Sequence, residues 1–64
     1  MTELALYYVI RLNQGDYYQH RGGYYWGRSN KYTATRFDSP AEAQEEIRSV
    51  LRGGFGARVE AFDD

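Results

Sequence analysis

Hydrophobic and polar residues alternate along residues 4–12, the first patterned segment of the chain. Its even positions are all apolar or aromatic: Leu4, Leu6, Tyr8, Ile10 and Leu12. Its odd positions are mixed: Ala5, Tyr7, Val9 and Arg11. Successive side chains of a β-strand point to opposite faces, so the segment predicts a strand with one strongly apolar face. Residues 13–16, Asn-Gln-Gly-Asp, predict a turn after it.

Two further β-favouring segments follow, separated by a pair of glycines. Residues 17–21 and 24–26 predict strands because both are rich in aromatic residues. Gly22-Gly23 predicts a two-residue hairpin turn between them, since such turns need positive φ. Residues 27–30 predict a break, and residues 31–37, with threonines and aromatics, predict a strand or extended chain.

The strongest helix signal starts at Ser39. Ser39 is suited to the N-cap and Pro40 to the first helical position, and Glu42 completes the capping-box spacing. One apolar stripe then follows at helical spacing: Ala43, Ile47, Val50 and Leu51. Gly53-Gly54 predicts the end of the helix. Residues 57–62 alternate as a last short strand, with Ala57, Val59 and Ala61 on one face.

These elements predict a single α+β domain over residues 1–64, in the order β-β-β-(β)-α-β. An antiparallel sheet of three to four strands would pack one helix on one face. A helix of about 14 residues covers only one face of such a sheet, at about 1.5 Å rise per residue. The opposite face is therefore expected to be solvated or to contact a partner.

The aromatic content suggests what that open face does. The chain has seven Tyr, three Phe and one Trp, and three tyrosine doublets fall within the strands. A doublet places one ring on each face, so about half of these rings should point away from the helix. Tyr and Trp dominate binding hot spots, which makes Tyr7, Tyr17, Tyr24 and Trp26 candidate partner-binding residues. Alternatively, the rings only support cross-strand packing, or the face forms a homodimer.

Charge divides the chain into two halves, although eight Lys+Arg against nine Asp+Glu leave a net charge of −1. Residues 11–36 carry a net charge of +4 and residues 37–64 one of −4. The near balance argues against a general polyanion binder. The basic half, through Arg28, and the acidic helix, through Glu42, Glu45 and Glu46, are further candidate partner-binding sites. The halves could also simply balance each other within the fold.

Little in the sequence indicates chemistry. There is no Cys and one His, so no metal site, cofactor or catalytic residue is predicted, and His20 is interpreted as a surface residue. The glycines of residues 53–56 follow a helix instead of opening one, which argues against a phosphate loop. No apolar run reaches the ~20 residues of a membrane span, and a cytoplasmic protein without membrane contact is expected.

Residues 34–43 complete the layout with the motif Ala34-x-x-Phe37-x-Ser39-x-x-Glu42-Ala43. With the Tyr-Tyr-Val-Ile-Arg and Gly-Tyr-Tyr-Trp strands before it, this layout resembles small single-helix proteins of phages and mobile elements, among them anti-CRISPR inhibitors. The resemblance implies a non-enzymatic inhibitor in the host cytoplasm. Such an inhibitor docks on a CRISPR effector complex and blocks target DNA binding or nuclease recruitment.

A second hypothesis keeps the nucleic acid as the direct ligand. The aromatic and arginine-rich half could stack and clamp a single strand through Tyr17, Tyr24, Trp26, Arg21 and Arg28. A structural or dimerisation module is a third possibility. Whether the chain is a monomer or a homodimer does not follow from the sequence.

Overall fold

Four antiparallel strands form one sheet in the computed structural model, which describes residues 6–62. The strands β1 (Tyr7–Arg11), β2 (Tyr17–Gly22), β3 (Tyr25–Ser29) and β4 (Arg58–Phe62) lie in the order β3-β2-β1-β4. A helix precedes β4 in the chain, so the predicted α+β class and the order of elements are confirmed. Leu4 and Ala5, in the predicted first strand, lie outside the described residues.

The helix begins as its capping residues predict. Ser39 is the N-cap in extended conformation, Pro40 follows, and the Ser39 side chain accepts a hydrogen bond from the Glu42 N–H at 3.3 Å. The helix α1 (Pro40–Glu46) continues into a π-helical segment, Ile47–Leu51, which the sequence pattern does not predict. Both Ile47 and Leu51 remain buried across this change of pitch. The segment ends at Arg52, in left-handed conformation with φ 54°, one residue before the predicted Gly53.

The core lies between α1 and the face of the sheet predicted to be apolar. One buried cluster joins the strands and the helix: Ile10, Leu12, Tyr18, Ala43, Ile47 and Leu51. Val59 of β4 and Ala57, just before β4, pack against it, as the predicted alternation requires. Burial of this apolar area is the main contribution that offsets the chain entropy of so short a domain.

The β2–β3 hairpin differs from its prediction in two respects. Gly22 belongs to β2 and pairs with Tyr25, so the turn lies at residues 23–24, one residue later than predicted. A bulge between His20 and Gly22 accounts for that shift, because an extra residue in one strand displaces the pairing beyond it. The predicted break at residues 27–30 is also wrong, since β3 continues to Ser29 and its Gly27 pairs with Gln19.

Residues 30–37 lie where the sequence predicted an open sheet face. Strands β1 and β2 pair at Arg11 and Tyr17 and then separate, and the segment enters the gap. Phe37 exchanges two backbone hydrogen bonds of 2.8 Å with Tyr8, and the Thr35 N–H donates to the Tyr18 carbonyl at 3.0 Å. The segment is thus tied to both strands, although only Phe37 forms a β-bridge and residues 31–33 are turns instead of strand.

Gly56 lies close to Asn13, where the loop after the helix meets the turn after β1. Its φ is 63°, and a Cβ at this position would lie 2.5 Å from the Cβ of Asn13. Gly56→Ala is therefore expected to lower the free energy of unfolding by about 1–3 kcal/mol, from steric conflict and a strained φ. Thermal and urea unfolding measure this. Gly54→Ala is the control, since Gly54 has no positive φ and its nearest neighbour would lie at 3.4 Å.

Candidate interaction surface

The tip of the β2–β3 hairpin carries the most exposed aromatic rings among the described residues. Tyr24 is 84% exposed and Tyr25 80% exposed, on adjacent positions at the turn. Gly22 and Gly23 have φ values of 112° and 56°, which glycine adopts readily, and this lets the chain reverse there. His20 Nε2 lies 2.8 Å from the Gly23 carbonyl oxygen, a contact that holds the turn. The two rings therefore project from a turn that a side-chain contact stabilises.

Arg21 lies beside this tip, against Gly27 of strand β3. Its guanidinium rests on the backbone of Gly27, so close that a Cβ on Gly27 would lie 2.6 Å from Nε. Gly27 is paired with Gln19, so by strand alternation the Arg21 guanidinium lies on the sheet face away from α1. Tyr25 projects from the same face. Arg21 is exposed and forms no ion pair within residues 6–62. The tip thus combines two exposed rings with an exposed cation.

The predicted residue Arg28 lies on the same hairpin but is already paired. Its Nη1 is 3.2 Å from Asp16 Oδ2, at the end of the hairpin opposite the turn. Lys31 has a similar pairing with Glu60 at 3.5 Å. These exposed or half-exposed pairs contribute little stability, about 0–1 kcal/mol each, yet they reduce the positive charge available to a ligand.

Tyr7 and Tyr17 lie on the face away from α1, as predicted, but this face is not open. The Tyr7 ring stacks on Phe62 with centroids 4.6 Å apart, and the Arg36 guanidinium lies 4.5 Å above the Tyr7 centroid. The Tyr17 hydroxyl donates to Glu60 at 3.2 Å. Both rings are half-buried, so the expectation of a solvated or partner-covered face is wrong here.

Residues 30–37 cover the sheet face away from α1, which the sequence analysis did not predict. The Tyr32 ring meets Phe62 edge-on at 5.7 Å, and Lys31 Nζ lies 4.9 Å from the Phe62 centroid. Cations and rings attract each other through the quadrupole of the ring, which allows a polar segment to pack on an aromatic face. The second face is therefore covered by the chain itself around Tyr7 and Phe62.

Trp26 also differs from its predicted role. It is half-buried and packs against the core cluster, 5.7 Å from Tyr18 and 5.0 Å from Phe55 between centroids. Phe55 holds its ring there in left-handed conformation with φ 64°, which is strained for a residue with a Cβ. Two aromatic neighbours and core contact make Trp26 chiefly a packing residue.

The three predicted acidic residues of the helix do not form one surface. Glu42 is exposed in the first turn, and Glu45 is exposed and pairs with Arg48. Glu46 instead points to the core, where it accepts a hydrogen bond of 2.5 Å from the Tyr18 hydroxyl. Burial, and then the hydrogen bond and charge of Glu46, raise the pKa of Tyr18 well above its usual range. A shallow depression lined by Ala41, Gln44, Glu45 and Arg48 lies on the exposed side of α1.

Comparison with known proteins identifies no relative of this chain. No protein-family model, curated protein or solved structure matches the chain. Within residues 6–62, no three His, Cys, Asp or Glu side chains are grouped as a metal site would require. No helix in that part of the chain is long and apolar enough to cross a membrane.

The eight predicted residues therefore separate into four places. Tyr24 is at the tip, Arg28 is at the base of the hairpin, Tyr7 and Tyr17 are on the covered face, and the others lie against or on the helix side. Tyr25 was missed as a site residue, although the Tyr24-Tyr25 doublet next to two glycines was the available signal. Arg21 entered only the nucleic-acid hypothesis.

Proposed function

We propose that this chain is a non-enzymatic protein that acts by binding a protein partner stoichiometrically through the tip of the β2–β3 hairpin. The observation that carries the proposal is the pair of adjacent rings, Tyr24 and Tyr25, with 84% and 80% of their surface exposed. The rings predicted to bind a partner on the strands are packed internally, so the tip is where exposed aromatic surface concentrates. Tyrosine gives a large amphipathic contact at low entropic cost, which suits an interface anchor.

Three groups that could serve in acid–base chemistry are engaged in structural contacts. His20 is bound to the Gly23 carbonyl, Glu45 to Arg48, and Glu46 to the Tyr18 hydroxyl. These contacts support a binding role over a catalytic one. The resemblance to anti-CRISPR inhibitors then suggests the class of partner, a CRISPR effector complex whose DNA binding or nuclease recruitment is blocked.

Binding to purified effector complexes tests the proposal. The wild-type chain is expected to co-elute with at least one complex in size-exclusion chromatography, and to inhibit it in a DNA-binding or cleavage assay. Tyr24→Ser combined with Tyr25→Ser is expected to weaken that binding by roughly tenfold or more, because hot-spot truncations cost about 2 kcal/mol or more. Thermal unfolding should change little, since both rings are exposed.

Tyr32→Ser is the matched control, since this ring is 70% exposed but lies away from the tip, against Phe62. It should bind like the wild type. Absence of binding across a broad panel of effector complexes would contradict the CRISPR partner. Equal binding by the tip variant and the wild type would contradict the hairpin as the site.

A further inference from the structure

The charge distribution of the hairpin indicates which partner surface it fits. Residues 17–37 contain no Asp or Glu, but four cations: Arg21, Arg28, Lys31 and Arg36. Three of these are engaged within the fold. Arg28 pairs with Asp16, Lys31 pairs with Glu60, and Arg36 lies over the Tyr7 ring. Arg21 is the remaining cation and lies at the tip. Residues 17–37 contain no carboxylate that could pair with it.

We infer that the hairpin tip recognises an acidic segment of its protein partner, with Arg21 pairing to a carboxylate while Tyr24 and Tyr25 pack beside it. This inference rests on the proposed function. A planar guanidinium can donate two parallel hydrogen bonds to one carboxylate, which fixes orientation as well as attraction. Adjacent rings that exclude water would strengthen a pair that is weak when fully solvated.

Gly27 orients Arg21 for this contact. Because Gly27 has no side chain, the guanidinium can lie close to strand β3; a Cβ on residue 27 would lie 2.6 Å from Nε and displace it. A side chain that rests on the backbone loses less rotamer freedom when it binds. The Arg21 guanidinium is on the same face of the hairpin as Tyr25, so ring and cation can contact one partner together.

A protein carboxylate fits this surface better than a nucleic acid. Binding to a phosphate backbone draws its strength from several cations that each neutralise a phosphate. Here one cation stands unpaired beside the rings, Arg28 is held by Asp16, and the whole chain has a net charge of −1. One arginine with two tyrosines is instead the composition of a compact protein hot spot.

A displayed library of random short peptides, selected on the immobilised wild-type chain, tests the inference. Enriched peptides are expected to contain Asp or Glu next to apolar residues. Synthetic versions should bind Arg21→Ala roughly tenfold more weakly, as expected for a lost charged pair at an interface. Gly27→Ala should weaken binding in the same direction, because it keeps the charge and displaces the guanidinium. Both variants should unfold at the wild-type temperature, since a flexible, exposed side chain can move aside.

Arg58→Ala is the control, because it removes the same charge from β4, at the opposite edge of the sheet. Peptides without acidic enrichment, or equal binding by Arg21→Ala and the wild type, would overturn the inference. Tighter binding of an oligothymidylate than of the acidic peptides, lost in Arg21→Ala, would also overturn the inference. Binding that depends on Tyr24 and Tyr25 but not on Arg21 overturns this inference alone. Binding indifferent to the tyrosines overturns the proposed function too.

Discussion

Ile47→Ala is expected to lower the free energy of unfolding by about 2–5 kcal/mol, the range for large-to-small changes in a core. Ile47 is 6% exposed and belongs to the buried cluster that joins helix and sheet. The substitution removes apolar surface and leaves a cavity that neighbours on two layers cannot fully close. A domain of this size buries only about 60% of its unfolded surface, so this loss is a large part of its stability.

Urea unfolding followed by circular dichroism measures the effect. The variant is expected to be largely unfolded at temperatures where the wild type is native. Gln44→Ala is the control on the exposed side of the same helix and should change stability by less than about 0.5 kcal/mol. Similar midpoints for Ile47→Ala and Gln44→Ala would show that the helix does not pack on the sheet through Ile47.

The sequence was sufficient to predict the elements whose signals are local. Ser39 and Pro40 determine the start of the helix through capping and fixed φ, and the tertiary structure does not override them. The alternation in β1 and β4 placed Ile10 and Val59 on the helix side, where both contact the core. In these strands the side-chain period indicates which residues face the helix, although it does not predict the burial of Val9 on the other face.

The features that escaped prediction depend on contacts between distant residues. The bulge at His20–Gly22 shifts the hairpin register, and the seat of Arg21 on Gly27 exists only once that register is set. Residues 30–37 cover the second face through Lys31 and Arg36, which are polar residues that composition alone assigns to solvent. Cation–ring packing has no periodic signature, so no pattern in residues 30–37 predicts it.

The same reason limited the prediction of the site. Strand parity correctly placed Tyr7 and Tyr17 on the face away from the helix, but parity does not indicate whether a loop covers that face. Trp26 was a candidate because tryptophan is common in binding hot spots, which says nothing about its exposure. Its packing depends on Phe55, a residue from the loop after the helix. Exposure is a tertiary property, and only Tyr24 kept it among the predicted rings.

Stability is expected to fall with rising pH above about 10, the pKa of a tyrosine in an unfolded chain. Tyr18 is buried and donates a hydrogen bond to Glu46 at 2.5 Å. Burial first, and then Glu46, raise the pKa of Tyr18 in the folded state. A raised pKa means that the folded state keeps a proton that the unfolded state loses. The contribution is complete below the unfolded pKa and is lost progressively above it.

While folded Tyr18 stays protonated, its share of the loss is about 1.4 kcal/mol per pH unit. Urea unfolding of the wild type and Tyr18→Phe, from about pH 8 to about pH 11, isolates that share, because other alkaline effects act on both chains. At the lower pH the variant should be less stable by about 1.5–3 kcal/mol, the usual value of a hydrogen bond to a charged group. The difference should shrink by about 1.4 kcal/mol by about pH 11, because phenylalanine has no proton to lose. A difference that stays constant with pH would mean that Tyr18 ionises as readily in the folded state as in the unfolded state. The hydroxyl would then not be held between the core and Glu46.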